Sequence, residues 1–170
     1  MKKLLILLMI FTLFLSGCGL FNLDGWLVPD DEEFLAVVES LDTPEKIGNY
    51  MLENFEYKSN NFLLTPYQLY KSKVGNCDDF SNFAVFIANH HGYETNQILI
   101  EFPLYIYNSQ YHMIGVFKEG NYYNIFENTL YIECFCENFK EIMNFYLYHG
   151  WLSYTVYDYN MNIIEQETNN

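Results

Sequence analysis

Apolar positions along the chain follow two regimes, and the change comes at Gly92. Before it they recur every three or four residues; after it they alternate or gather in short β-branched and aromatic runs. Asp30-Asp31-Glu32-Glu33 ahead of Phe34-Leu35-Ala36-Val37-Val38 predicts a helix with acids in its first turn. Thr43-Pro44 supplies an N-cap and a proline at the first helical position, and Ile47, Tyr50, Met51 and Phe55 come after it at core-facing spacing. Thr65-Pro66 repeats the same start signal before Gln68-Leu69-Tyr70-Lys71. Gly75-Asn76 then breaks that helix and opens another, with Cys77, Ser81, Ala84 and Ala88 along one stripe. It runs to His90-His91, and Gly92 fits a C-cap.

Beyond Gly92, Gln97 to Phe102 reads as a strand that Pro103 ends or edges. Tyr111 to Phe117 reads as a second strand, Glu119-Gly120-Asn121 as a hairpin turn, and Tyr122 to Phe126 as the returning strand. Glu137 to Leu147 looks helical, and Ser153 to Tyr157 with Met161 to Glu165 forms a last hairpin. Helices first and antiparallel strands after them predict an α+β domain, with the helices packed on one sheet.

The N-terminus places the domain. Met1-Lys2-Lys3 is basic, and Leu4 to Leu15 is apolar except for Thr12. That run is too short for a comfortable bilayer span and has the layout of a signal peptide. It ends in Leu15-Ser16-Gly17-Cys18, which resembles the lipobox of bacterial lipoproteins. The resemblance implies cleavage before Cys18 and a lipid on Cys18. The expected organisation is a signal peptide over 1–17, a lipidated cysteine and tether over 18–29, and one monomeric domain over 30–170, anchored outside the cytoplasm. An uncleaved N-terminal anchor would leave the domain on the same side.

Charge narrows the partners. Twenty-two acids face eight lysines, for a formal charge of −14, and loss of Lys2 and Lys3 takes it to −16. Nucleic acid and anionic membrane surfaces are therefore excluded as electrostatic partners, and the lipid must supply the attachment. A hydrophobic content of 51% and an aromatic content of 19% identify a globular chain able to bury a core without staples.

Cysteine use narrows the chemistry. Of four cysteines, Cys18 is assigned to lipid, and Cys134 and Cys136 are too closely spaced for an unstrained disulfide. Zinc bound by this pair with His90 or His91 lacks a second Cys-x-x-Cys, so both cysteines read as structural residues on a strand. No metal or cofactor is called for, and no loop has calcium-ligand spacing. His90 and His91 read as helix C-terminal capping residues, and His149 has no supporting pattern.

That leaves Cys77. A thiol in a first helical turn sees the positive end of the helix dipole, which favours thiolate. The bland alternative is a buried small hydrophobe. Two positions downstream argue for chemistry: His112 lies near the start of a strand, and Glu127 or Asn128 lies at the end of the next. Antiparallel pairing can set these side by side. The imidazole would take the thiol proton, and the third group would orient the ring and fix its tautomer.

Thr65-Pro66 with Lys73-Val74-Gly75-Asn76-Cys77-Asp78-Asp79 resembles the transglutaminase-like superfamily. Tyr111 to Phe117 resembles its histidine strand, and Tyr122 to Asn128 the next strand; the similarity spans roughly residues 43 to 131. The resemblance implies Cys77 as nucleophile and His112 as base. Glu127 stands where the family usually has Asp, one methylene shorter, and Asn128 is the alternative third member. Asp79 matches an acid of the family motif with a structural role. The Cys77 backbone amide is a natural oxyanion donor, with Gln68 or Tyr67 as the second.

Three readings compete. The first is thiol acyl transfer on peptide or protein amide bonds, with hydrolysis ahead of cross-linking because nothing suggests an amine-binding site. The second is a catalytically inactive binding module using the same groove. A zinc surface module ranks third.

Overall fold

The computed structural model describes residues 20–23, 26–103 and 111–169; Cys18 and the signal segment lie outside them. Two short strands, β1 (Leu20–Leu23) and β2 (Trp26–Pro29), pair antiparallel within the stretch expected to be a tether. Val28, in β2, is buried in the helical core.

Helix α1 (Glu32–Ser40) starts at Asp31, whose carboxylate accepts from the Phe34 amide at 3.0 Å. Helix α2 (Pro44–Asn54) starts at Thr43 with Pro44 in its first turn, as its sequence predicts. A two-residue strand β3 (Glu56–Tyr57) precedes α3 (Pro66–Ser72), which a Thr65–Gln68 capping box opens. Lys73 ends α3 in a left-handed conformation, φ 59°, and the chain turns into β4 (Val74–Gly75), parallel to β3. Helix α4 (Cys77–His90) begins at once. The sequence offers one buried stripe on α4, yet every residue from Asp79 to Ala88 is buried. It is the central helix, packed on α2, α3 and the sheet.

The remaining strands form one six-stranded antiparallel sheet: β5 (Glu94–Glu101), β6 (Tyr111–Glu119), β7 (Tyr122–Glu127), β8 (Leu130–Cys136), β9 (Ser153–Asp158) and β10 (Ile163–Thr168). Their order is β10-β9-β5-β6-β7-β8, so the C-terminal hairpin adds beside β5. Between β8 and β9 run a short helix α5 (Phe139–Asn144) and a 3₁₀ turn (Leu147–His149), where one longer helix is predicted from sequence. The α+β expectation is met, with five α-helices and this sheet among the described residues.

Strand alternation divides the interior in two. Phe117 and Phe126 face α4 and join the helical core with Phe34, Ile47, Phe80, Phe83 and Phe86. Ile98, Ile114, Val116, Ile125 and Val156 face the other way and are covered by Phe139, Ile142, Met143, Tyr146 and Trp151. Gly115 lets α4 approach β6: a Cβ there would stand 3.3 Å from the Val85 side chain. Gln97 ties the helix to the sheet, donating to Ser81 Oγ and Asn82 Oδ1, both at 2.9 Å. No described helix is long and apolar enough to cross a membrane.

Candidate active site

Cys77 is the first residue of α4. The Asn76 side chain caps the helix by accepting from the Asp78 and Asp79 amides at 3.1 and 3.2 Å. The Cys77 amide stands just ahead of those two, in the turn whose N–H groups have no intrahelical partner.

Asp79 closes the capping box and does more. Fully buried, its carboxylate accepts from the Asn76 amide at 2.9 Å, the Leu64 amide at 2.7 Å and Asn60 Nδ2 at 2.8 Å. These charge-assisted bonds moor the loop before α3 to the start of α4. The role is structural, as the family resemblance implies. Its neighbour Asp78 instead meets the thiol, with Sγ donating to Oδ1 at 3.5 Å.

His112, the second residue of β6, is brought to this helix end by the pairing of β6 with β5. Its Nε2 lies 2.6 Å from Glu127 Oε1, and the ring shares the cleft wall with Cys77, which helps to raise its proton affinity. With Nε2 engaged by the carboxylate, Nδ1 is the nitrogen that remains for sulfur. Burial disfavours a charged ring here, but Cys77 and Glu127 outweigh it, raising the His112 pKa to about 10. Glu127 shows the converse. Its burial favours the neutral acid, yet His112, the Tyr146 hydroxyl and the charge of His149 together hold it below the ordinary value.

Glu127 ends β7 on the same sheet face as His112, which is why its longer arm can reach the ring. Tyr146 donates its hydroxyl to Glu127 Oε2 across the second core, and Asn128 Nδ2 donates to Oε1 at 3.2 Å. Of the two candidate third residues, the ring therefore bonds Glu127, and Asn128, with φ 52°, bonds Glu127 in turn. Glu127 thus has three partners and one orientation.

Gln68 is placed elsewhere than expected. Its side-chain oxygen accepts from the Thr65 amide at 2.9 Å within the α3 capping box, and the residue is exposed, outside the cleft. Tyr67 is likewise committed, donating to Asp31 at 2.9 Å. Neither is positioned as an oxyanion donor. Local capping chemistry took both residues.

A cleft of about 670 Å³ opens over Cys77, His112 and Glu127. The β3–β4 pair brings Tyr57 and Ser59 to one wall, while Tyr146 and His149 form another. Sequence reasoning passed over all four. They lie far apart in the chain, and no spacing signal links them to Cys77.

Cys134, Cys136, His90 and His91 each have partners away from the cleft. Cys134 Sγ donates to the Tyr123 carbonyl at 3.1 Å, and burial with a hydrogen bond to Cys134 pushes the Cys136 thiol up to about 12. His91 is the C-cap of α4 and His90 lies in its last turn, as expected; His91 Nε2 also lies 2.8 Å from the Val38 carbonyl and His90 Nε2 2.9 Å from Glu39, so the same residues tie α4 to α1. Among the described residues no group of three His, Cys, Asp or Glu side chains is arranged to hold a metal.

With this geometry in hand, comparison defines the class. The family model of the transglutaminase-like superfamily matches residues 36–155, and the chain belongs to that family. Among curated proteins none matches in sequence. Among solved structures, EGTA-treated LapG of Legionella pneumophila is 13% identical with a TM-score of 0.49, covering 79% of this chain and 73% of LapG. Calcium-bound LapG is 16% identical with a TM-score of 0.46, covering 58% of this chain; the match spans 64% of LapG, under two thirds of its length. A candidate cysteine protease from Cytophaga hutchinsonii is 10% identical with a TM-score of 0.45, covering 82% and 54% of the two chains. The assignment rests on the family model, not on these likenesses.

Proposed function

We propose that this chain is an extracytoplasmic thiol acyltransferase acting on peptide or protein amide bonds, with water as the usual acceptor. The observation that carries the reading is the position of His112, in one cleft with Cys77 and 2.6 Å from Glu127. A ring so held has a raised proton affinity and takes the thiol proton as the sulfur attacks. Cys77 Sγ attacks the amide carbonyl, and the oxygen charge develops against first-turn amides of α4. The tetrahedral intermediate collapses with cleavage of the C–N bond, and His112 gives its proton to the departing amine. His112 then takes a proton from water, whose oxygen attacks the thioester carbonyl and releases the acid and the thiolate. Glu127 keeps the ring aimed through both steps. Lipid attachment at Cys18 would hold this domain at the outer face of the cell membrane.

The test is to incubate the full chain and its Cys77→Ala variant with a tryptic peptide mixture and to monitor new termini by mass spectrometry. The proposal expects new amino termini with wild type and none with the variant. Equal product from both would overturn it. Membrane fractionation of Cys18→Ser checks the anchor: the variant should leave the membrane fraction.

A further inference from the structure

The groove through Cys77 has two chemically different ends. Tyr57, Ser59, Cys77 and Tyr111 wall both the 670 Å³ cleft and a second hollow of about 490 Å³. Beyond the catalytic group of His112, Glu127 and Asn128, the first is finished by Ile125, Ile132, Phe145, Tyr146 and His149. The second lacks His112 and is finished by Asn60, Asn61, Asn76, Asp78 and Leu99. Outside the catalytic group the first end is mainly aromatic and aliphatic, and the second is mainly amides with a carboxylate.

Reaction chemistry orients a substrate across this polarity. The group protonated by His112 is the departing amine, so it lies on the imidazole side of Cys77. The acyl part must then extend toward Asn76 and Asp78. We infer that the residue donating the scissile nitrogen carries a large apolar side chain, received by Ile125, Ile132 and Phe145, and that Phe145 is its specificity-determining contact. This rests on the thiol acyl-transfer reading for its orientation. Phe145 is suited to the role because it is half exposed, 52%, on the cleft rim and not part of the packed core. A pocket of this kind separates large from small apolar groups by about tenfold or more.

The probes are peptide pools with a randomised acyl side and one fixed amine-side residue, Phe, Leu, Ala or Asp. Binding to the full-length Cys77→Ser chain is read by fluorescence anisotropy, and turnover by wild type is read by mass spectrometry. The expected result is about tenfold tighter binding of the Phe and Leu pools than of the Ala and Asp pools. Phe145→Ala should bring that ratio to within about twofold, while Phe135→Ala, at an exposed phenylalanine outside both hollows, leaves it in place. Equal binding of all pools, no binding of any pool, or an unchanged ratio in Phe145→Ala overturns the inference. Turnover without preference sinks the inference and keeps the acyl-transfer reading; preference in binding without turnover does the reverse.

Discussion

Replacing Tyr146 with Phe removes a single oxygen, the one that donates to Glu127 Oε2. Tyr146 is only 7% exposed, so Phe retains its packing in the second core. A hydrogen bond to a charged group contributes about 1.5–3 kcal/mol, and here the lower end applies because the Glu127 side chain is 25% exposed. About 1.4 kcal/mol corresponds to roughly one pKa unit. The sign comes from linkage. The folded carboxyl of Glu127 titrates below its unfolded value, so its contribution is present above the unfolded pKa and is lost as pH falls through the folded one. Tyr146→Phe should therefore cost about 1 kcal/mol in urea unfolding near neutral pH. Most of that difference should vanish once acid has protonated Glu127 in both states. A cost that is constant across pH would mean that the hydroxyl only fills space, and the positioning role would be refuted.

Three further outcomes are expected. Asp79→Ala leaves the Asn76 and Leu64 amides and the Asn60 side chain without their acceptor, so it should cost roughly 3 kcal/mol in denaturant unfolding; under 1 kcal/mol would show that the anchor is dispensable. Gly48→Ala, which in an exposed helix would gain about 1 kcal/mol, should instead destabilise α2 against β8, because the new Cβ would sit 2.6 Å from Tyr131 Cβ; an unchanged or raised melting temperature would contradict this. Because the folded pKa of His112 is raised, its stabilising contribution is full below its unfolded pKa and lost as pH rises through about 10, so the margin of wild type over His112→Gln should shrink along that rise; a margin that grew would reverse the assigned sign.

The features legible in the sequence are the local ones. Thr43-Pro44, Thr65-Pro66 and Asn76 announce helix starts through bonds made within three residues, and each start lies where its motif places it. The hairpin at Gly120 is equally local, with φ 61° demanded by the turn. Pairing of β9 with β5 was not legible, since it joins residues more than fifty positions apart and alternation alone does not choose a neighbour. The same division holds at the site. Cys77, His112 and Glu127 stand in a recognisable order, whereas Tyr146 reaches Glu127 from an irregular helix end that periodicity describes poorly. Gln68 misled because a residue at the third position of a helix is as well suited to capping as to catalysis, and the cap is nearer. The hairpin over residues 20–29 escaped notice because two four-residue strands carry too little alternation to be seen.

The central claim is that Cys77 is an activated thiol because His112 stands beside it, while Cys134 and Cys136 are inert. Its most direct test is competitive iodoacetamide labelling of the native protein near neutral pH, read cysteine by cysteine by peptide mapping. Cys77 should label at least about tenfold faster than either of the others, and His112→Ala should remove most of that advantage. Labelling of Cys77 no faster than that of Cys134 and Cys136, or a rate indifferent to His112, would contradict the account.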